Sequence, residues 1–428
     1  MKKWLTVVGA VFFPALCVAQ PISTLLRNAE RAAEAGLHLE AAELWERAGR
    51  LKDSDPALLY QAAEAFAQVR DYHRAADCYR VASTDTRFPL APLRYARALK
   101  QQGRYEEAVQ AFDVFATNYR GAHKAVMTAV TENEIAGCQL ALTNKENTDT
   151  LRVIGLLGDV LNSPENEFAP IPFSDDLLYF SRTAGRRAQL LRSVRKNHEW
   201  AAAVEAVLPE AVSARFGSGS FTTDGQRFYY TQCEDACPAM NGGSAAPVPC
   251  AIYCLRRSEE GWMPPERLPA YINMEGSTAL HPQVARVGGI EYLFFASNRT
   301  GSLGGLDLFV SERPADSEGL DFSFPQNLGR RINTGADEVT PFYETSTETL
   351  WFSSLGHPSL GGMDVFSAQR EGNDWLPVQN AGILINSAAD DYFFTPWKNG
   401  EGAYFSSNRR RSAAEPTTTD DNIWHIKW

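Results

Sequence analysis

The sequence predicts two unlike parts: a stack of paired α-helices, then an all-β ring of small sheets. Three observations carry this. Residues 22–143 are alanine-rich and repeat a small-aromatic code every 33–34 positions. From 151 onward, aromatic and β-branched runs of four to six residues alternate with Gly, Asn, Asp and Pro turns. Finally, "FFASNRTGSLGGLDLFVSER" (294–313) and "WFSSLGHPSLGGMDVFSAQR" (351–370) hold the same glycines and aspartate at a constant offset of 57.

The chain begins with a basic Met1-Lys2-Lys3, an apolar run "WLTVVGAVFFPALCV", and small residues before Gln20. This reads as a signal peptide over 1–19, cleaved between Ala19 and Gln20. Lipidation at Cys17 is the rival, but Leu16 is larger than the residue a lipobox wants before its cysteine. No later run reaches the ~18 apolar residues a membrane helix needs, so the mature chain is expected to have no transmembrane segment. A net charge of −11 argues against a nucleic-acid partner, whose phosphates attract a basic footprint.

Next comes the helical part, 22–143. Ala41, Trp45 and Ala48 recur as Ala75, Tyr79 and Ala82, and Ala75 and Tyr79 recur as Ala108 and Phe112. The first helix of each pair aligns through Ala29, Ala63 and Ala96. Small residues let two antiparallel helices approach, while the aromatic fills the gap between pairs. Cys78 and Cys138 read as packed thiols. "LTNKENTDT" lacks periodic apolar residues, which makes 144–150 a linker between the helices and a β domain over 151–428.

In the β part, junctions repeat an Asn: Asn162, Asn273, Asn333 and Asn386. The step from 162 to 273 is about two units, so one junction near 209–221 has lost the motif while keeping its length. The last unit stops after "DNIWHIKW", one strand short, and "LRVIGLLGDVLNS" at the start supplies the missing piece. A closed β-propeller follows, of five blades, or six if two units are merged, with its first strand completing the last sheet. Gly304-Gly305 and Gly361-Gly362 make turns where a side chain would clash or φ is positive, and Asp307 and Asp364 accept backbone N–H bonds there. A calcium site on these aspartates would have too few oxygens. Cys233, Cys237, Cys250 and Cys254 are disulfide candidates on a hairpin. Nested pairing, 233 with 254 and 237 with 250, fits one antiparallel register, and 233 with 250 is the competing connectivity.

"YQAAEAFAQVRDYHRAADCYRVA" and "YARALKQQGRYEEAVQAFDVFA" resemble the tetratricopeptide repeat, and the resemblance implies an α-solenoid with a concave groove for a partner. By that register Tyr60, Glu64, Arg97 and Lys100 would face the groove. "ASNRTGSLGGLDLFVSER…NLGRRINTGADEVTP" resembles the WD-repeat-like, PD-type propeller of TolB-like and OmpA-associated envelope proteins. The order signal, helical repeats, propeller is similar to periplasmic components of type IX secretion and gliding machinery, without their OmpA-type domain.

Chemistry is sparse. There is no G-x-S-x-G elbow, H-E-x-x-H, P-loop or G-x-G-x-x-G, and the seven histidines are scattered. No catalytic residue, metal ligand or cofactor is expected. Arg299 and Arg409, in equivalent "SNR" positions, either ring a propeller mouth and bind an anionic end group or form ion pairs between blades. The expectation is therefore a non-enzymatic, periplasmic scaffold binding envelope proteins, among them outer-membrane proteins. A glycan- or peptidoglycan-fragment-binding propeller is the alternative, and a propeller hydrolase the third reading.

Overall fold

A computed structural model describes residues 20–144, 153–184, 187–209, 212, 216–233, 249–411 and 420–428. The signal segment with Ala19 and Cys17, the linker from 145 onward, and Cys237 lie outside them.

Seven helices come first: α1 (Ile22–Glu34), α2 (His38–Leu51), α3 (Pro56–Gln68), α4 (Tyr72–Ala82), α5 (Ala91–Lys100), α6 (Tyr105–Asn118) and α7 (Lys124–Asn144). Each packs on the next. Their starts are written locally. Asp55 accepts from the Ala57 and Leu58 amides at 2.9 and 3.2 Å with Pro56 in the first turn, and Asp71 accepts from Arg74 at 3.1 Å. The repeating small residues Ala29, Ala41, Ala63, Ala75, Ala96 and Ala108 are fully buried, which is what lets the helices close up. Phe112, at the aromatic position, is also fully buried, worth about 2–3 kcal/mol over exposure.

The remainder is a five-bladed β-propeller. The inner strands are Asn166–Ser174, Phe216–Phe221, Ala279–Val287, Glu338–Glu344 and Asp391–Pro396, and each touches its two neighbours around the ring. Each starts one antiparallel sheet, blades I to V. Blade V is completed by Val153–Leu156, which pairs with Asn422–Lys427 in the register Ile154–Ile426 and Leu156–Trp424. The opening segment thus closes the ring, as its sequence predicts, and no sixth blade exists among the described residues.

The repeated asparagines act as surrogate strand residues. Asn333 accepts from the Leu308 amide at 2.8 Å and donates to the Leu308 carbonyl at 2.9 Å. Asn162 grips Ile423, Asn273 grips Ile252 and Asn386 grips Val365 in the same two-handed way. Five residues later an acid caps the junction: Glu167, Glu338 and Asp391 each accept from the amide and hydroxyl of Ser163, Thr334 and Ser387.

Asp307 accepts from the Leu303 and Gly304 amides at 2.8 and 3.2 Å, and Asp364 from Leu360 and Gly361 at 2.7 and 3.2 Å, the turn role expected of them. The glycine pairs are explained by contact and not by φ. A Cβ on Gly304 would lie 2.5 Å from the Gly335 carbonyl carbon, and one on Gly361 would lie 2.4 Å from the Ala389 oxygen, in the next blade. The disulfide joins Cys233 and Cys250, which face one another across blade II. The nested pairing is corrected: in this register Cys254 sits opposite Tyr229, four rungs from the bridge, and its thiol is free and buried.

Candidate binding site at the propeller mouth

Every inner strand carries a bulge at its middle, between Phe168 and Ile171, Phe216 and Gly219, Leu280 and Gln283, Val339 and Phe342, and Tyr392 and Thr395. Four bulges turn through a left-handed residue: Ala169, His281, Thr340 and Phe393, with φ from 51 to 56°. Pro170, Pro282 and Pro341 follow three of these, at positions where a missing N–H costs no ladder bond. Hydroxyls of neighbouring strands bind the turned amides: Ser406 that of Ala169, and Thr231 that of His281.

Beyond the bulges the inner strands splay into a mouth of about 510 Å³, lined from all five blades. Its aromatic groups are Phe173, Phe221, Phe342, Tyr343 and Trp397, and its charged groups are Arg286, Glu344 and Lys398. Phe173 and Phe221 meet edge to face at 5.1 Å. Arg286 pairs with Asp316 at 2.9 Å, and Glu344 accepts from Thr347 at 3.0 Å and from the Trp351 indole at 3.3 Å. Half-buried rings beside planar polar groups suit a ligand with apolar faces and hydroxylated edges.

Below the mouth is a throat of about 60 Å³ between the bulges, lined among others by Ser218, His281, Thr340 and Phe393. Burial pushes the His281 imidazole down to about 3, so it is neutral at physiological pH. No carboxylate lines the throat, and Glu344 is the one acid lining the mouth, among the described residues. Glu167, Glu338 and Asp391, at the far ends of the inner strands, are occupied by their capping bonds. No group of three or more His, Cys, Asp or Glu is placed to hold a metal, among the described residues.

The opposite face, where the inner strands begin, is met by the helices. Arg70, in the turn before α4, is 1% exposed; it lies 2.7 Å from Asp421 and 3.1 Å from Asp390. Lys100 donates to Glu134 at 2.6 Å and to Ser359 of blade IV at 2.8 Å. Asn133 donates to the Gly356 carbonyl at 3.1 Å.

The residues singled out from sequence are therefore engaged within the molecule. Tyr60 stacks on Phe88 at 4.4 Å, and Glu64 accepts from Tyr79 at 2.6 Å and pairs with Arg94. Arg97 pairs with Glu134 at 2.7 Å, and Lys100 lies against the propeller. None of the four lines the helical cavity of about 790 Å³ that runs past Phe88, Tyr95, Val114 and Tyr119. Arg409 pairs with Asp391 at 2.6 Å, whereas Arg299 donates to the Tyr271 and Ile272 carbonyls and lies over Phe295 and Phe309. Neither reaches the mouth. The mouth residues escaped sequence reading; the recurring Pro of "FAPIP", "ALHPQ" and "EVTPF" was the available signal.

No family model matches the chain, and no curated protein matches it. Among solved structures it is similar to an α-L-arabinofuranosidase from Lactobacillus brevis, at 14% identity and a TM-score of 0.37, covering 64% of this chain and 94% of that one. An endo-arabinase from Bacteroides thetaiotaomicron gives 13%, 0.41, 61% and 94%. A levansucrase variant from B. megaterium gives 11%, 0.42, 67% and 93%. These neighbours are carbohydrate-acting enzymes, and against them the expectation of a non-enzymatic envelope scaffold is withdrawn. At TM-scores of 0.37 to 0.42 the likeness transfers no activity to this chain.

Proposed function

We propose that this protein recognises glycans, with the propeller mouth as its binding site. The observation that carries the reading is the lining of that cavity, which combines Phe173, Phe221 and Trp397 with Gln283, Arg286, Glu344 and Asn399. A sugar ring presents C–H groups on its faces and hydroxyls around its edge, and such a wall matches both. The helical module is, in this reading, of the tetratricopeptide type and the blades of the PD type. The protein works after export, in the periplasm, where its partners are glycans or proteins that carry them.

Titration of the full chain with soluble oligosaccharides, followed by calorimetry, tests the reading, with reducing-end release measured on the same mixtures. Binding that Trp397→Ala weakens at least tenfold supports it, and reducing-end release lost in the same variant extends it to turnover. A well-folded protein that binds no glycan, or binds unchanged after Trp397→Ala, removes it.

A further inference from the structure

The mouth and the throat are two tiers of one site. They share Ile171, Ser220, Gln283, Phe342 and Thr395, one residue from each blade, which form the neck between them. Above the neck there is room for several sugar units, whereas the 60 Å³ below it holds about four water-sized groups, too few for a ring. Phe393 narrows the throat, with Phe168 at 5.9 Å and the His281 ring edge-on at 5.1 Å.

Two polar atoms in the throat lack partners. Ser218 is 3% exposed and its Oγ makes no hydrogen bond, and the Nδ1 of His281 is shut off from solvent and equally unpartnered. Buried polar atoms left unpaired cost free energy that a ligand or ordered water recovers. The neighbouring hydroxyls, by contrast, are in use: Ser220 accepts from the Val284 amide, and Thr340 bonds Ser353.

Resting on the mouth reading above, we propose that the throat takes the uncharged, hydroxyl-bearing end group of a saccharide, so that a glycan enters the axis by one terminus and not across its middle. A hydroxymethyl or terminal hydroxyl fits the volume and supplies both a donor and an acceptor to Ser218 and His281. A carboxylate or amine end would meet no opposite charge there, since the throat lining holds no acid, lysine or arginine and His281 stays neutral.

The test uses the full chain and neutral linear tri- and tetrasaccharides from arabinan, xylan and glucan. The tightest binder is compared by calorimetry with two derivatives, one an aryl glycoside at its reducing end and one etherified at its other terminus. One derivative is expected to lose at least tenfold in affinity while the other keeps most of it. Ser218→Val, which fills the throat and removes its hydroxyl, should cost a similar factor with an unchanged melting curve, and Ser218→Ala two- to fivefold. Equal binding of both derivatives and the parent overturns end-on entry while leaving glycan recognition at the mouth intact. Failure of every oligosaccharide to bind overturns both.

Discussion

At the scale of single residues, the junctions hold because each asparagine satisfies a strand amide and adds a second donor to the carbonyl of the same residue, which also accepts one backbone amide. Asn333→Ala would leave the Leu308 amide buried and unpaired and the Leu308 carbonyl with the Leu328 amide alone, at a cost of about 2 kcal/mol, read from the denaturation midpoint. An unshifted midpoint would mean water replaces the side chain. The glycine pair offers a sharper contrast. Gly304→Ala forces a methyl into the Gly335 backbone and should cost about 2 kcal/mol, while Gly335→Ala, with nothing within 4 Å, should stay within about 0.5 kcal/mol. These spacings were legible in the sequence because one chemical need recurs in blade after blade. The disulfide register was not: the strand pairing that places Cys250 opposite Cys233 is fixed by blade packing, and cysteine spacing alone fits several registers.

Elements add a second kind of constraint. The closing strand Val153–Leu156 covers the outer flank of blade V, and Leu157 continues the contact by donating to the Ile423 carbonyl at 3.1 Å. Deleting 151–160 should expose the edge of Asn422–Lys427 and give oligomers by size exclusion with light scattering; a monomeric, cooperatively melting product would contradict closure by this strand. Between α5 and α7 the critical contact is electrostatic. Burial works to raise Glu134, but Lys100 and Arg97 outweigh it and hold the carboxyl down to about 2, from an ordinary 4.5. A lowered folded-state value adds stability above pH 4.5 that disappears as pH falls toward 2. Glu134→Gln should thus lose about 3 kcal/mol at pH 7, strand the buried Lys100, and converge with the parent near pH 2 in thermal melts. A pH-independent deficit would assign the loss to packing. The helices themselves were readable from their alanines, yet the positions expected to face a partner groove make contacts within the molecule. Lys100 and its neighbours are committed to helix–helix and helix–blade contacts, and a period reports which residues share a face without reporting what that face meets.

For the whole molecule, the decisive contact joins segments 320 and 351 positions apart, beyond the reach of any local pattern. Arg70, held in a left-handed turn at φ 60°, enters the face of blade V between Asp390 and Asp421. Asp421 also forms the seam with blade I, its amide donating to Asn166 and its carbonyl accepting from Glu167. One guanidinium therefore ties the helices to the place where the ring closes. Burial opposes its charge, but Asp421 and Asp390 outweigh this and keep it protonated. Arg70→Met would leave two buried carboxylates facing each other, and breaking such a network costs about 3–5 kcal/mol. Because the cost falls on the contact between the two parts, calorimetry should show one melting transition for the parent and, for Arg70→Met, an early helical step and a later propeller step. Adding Asp390→Asn and Asp421→Asn to Arg70→Met removes the stranded charges and should restore most of the lost stability without restoring the coupling. If Arg70→Met melts in one unshifted transition, the two parts are held by their apolar contacts, and the mouth on the far face is positioned by the propeller alone.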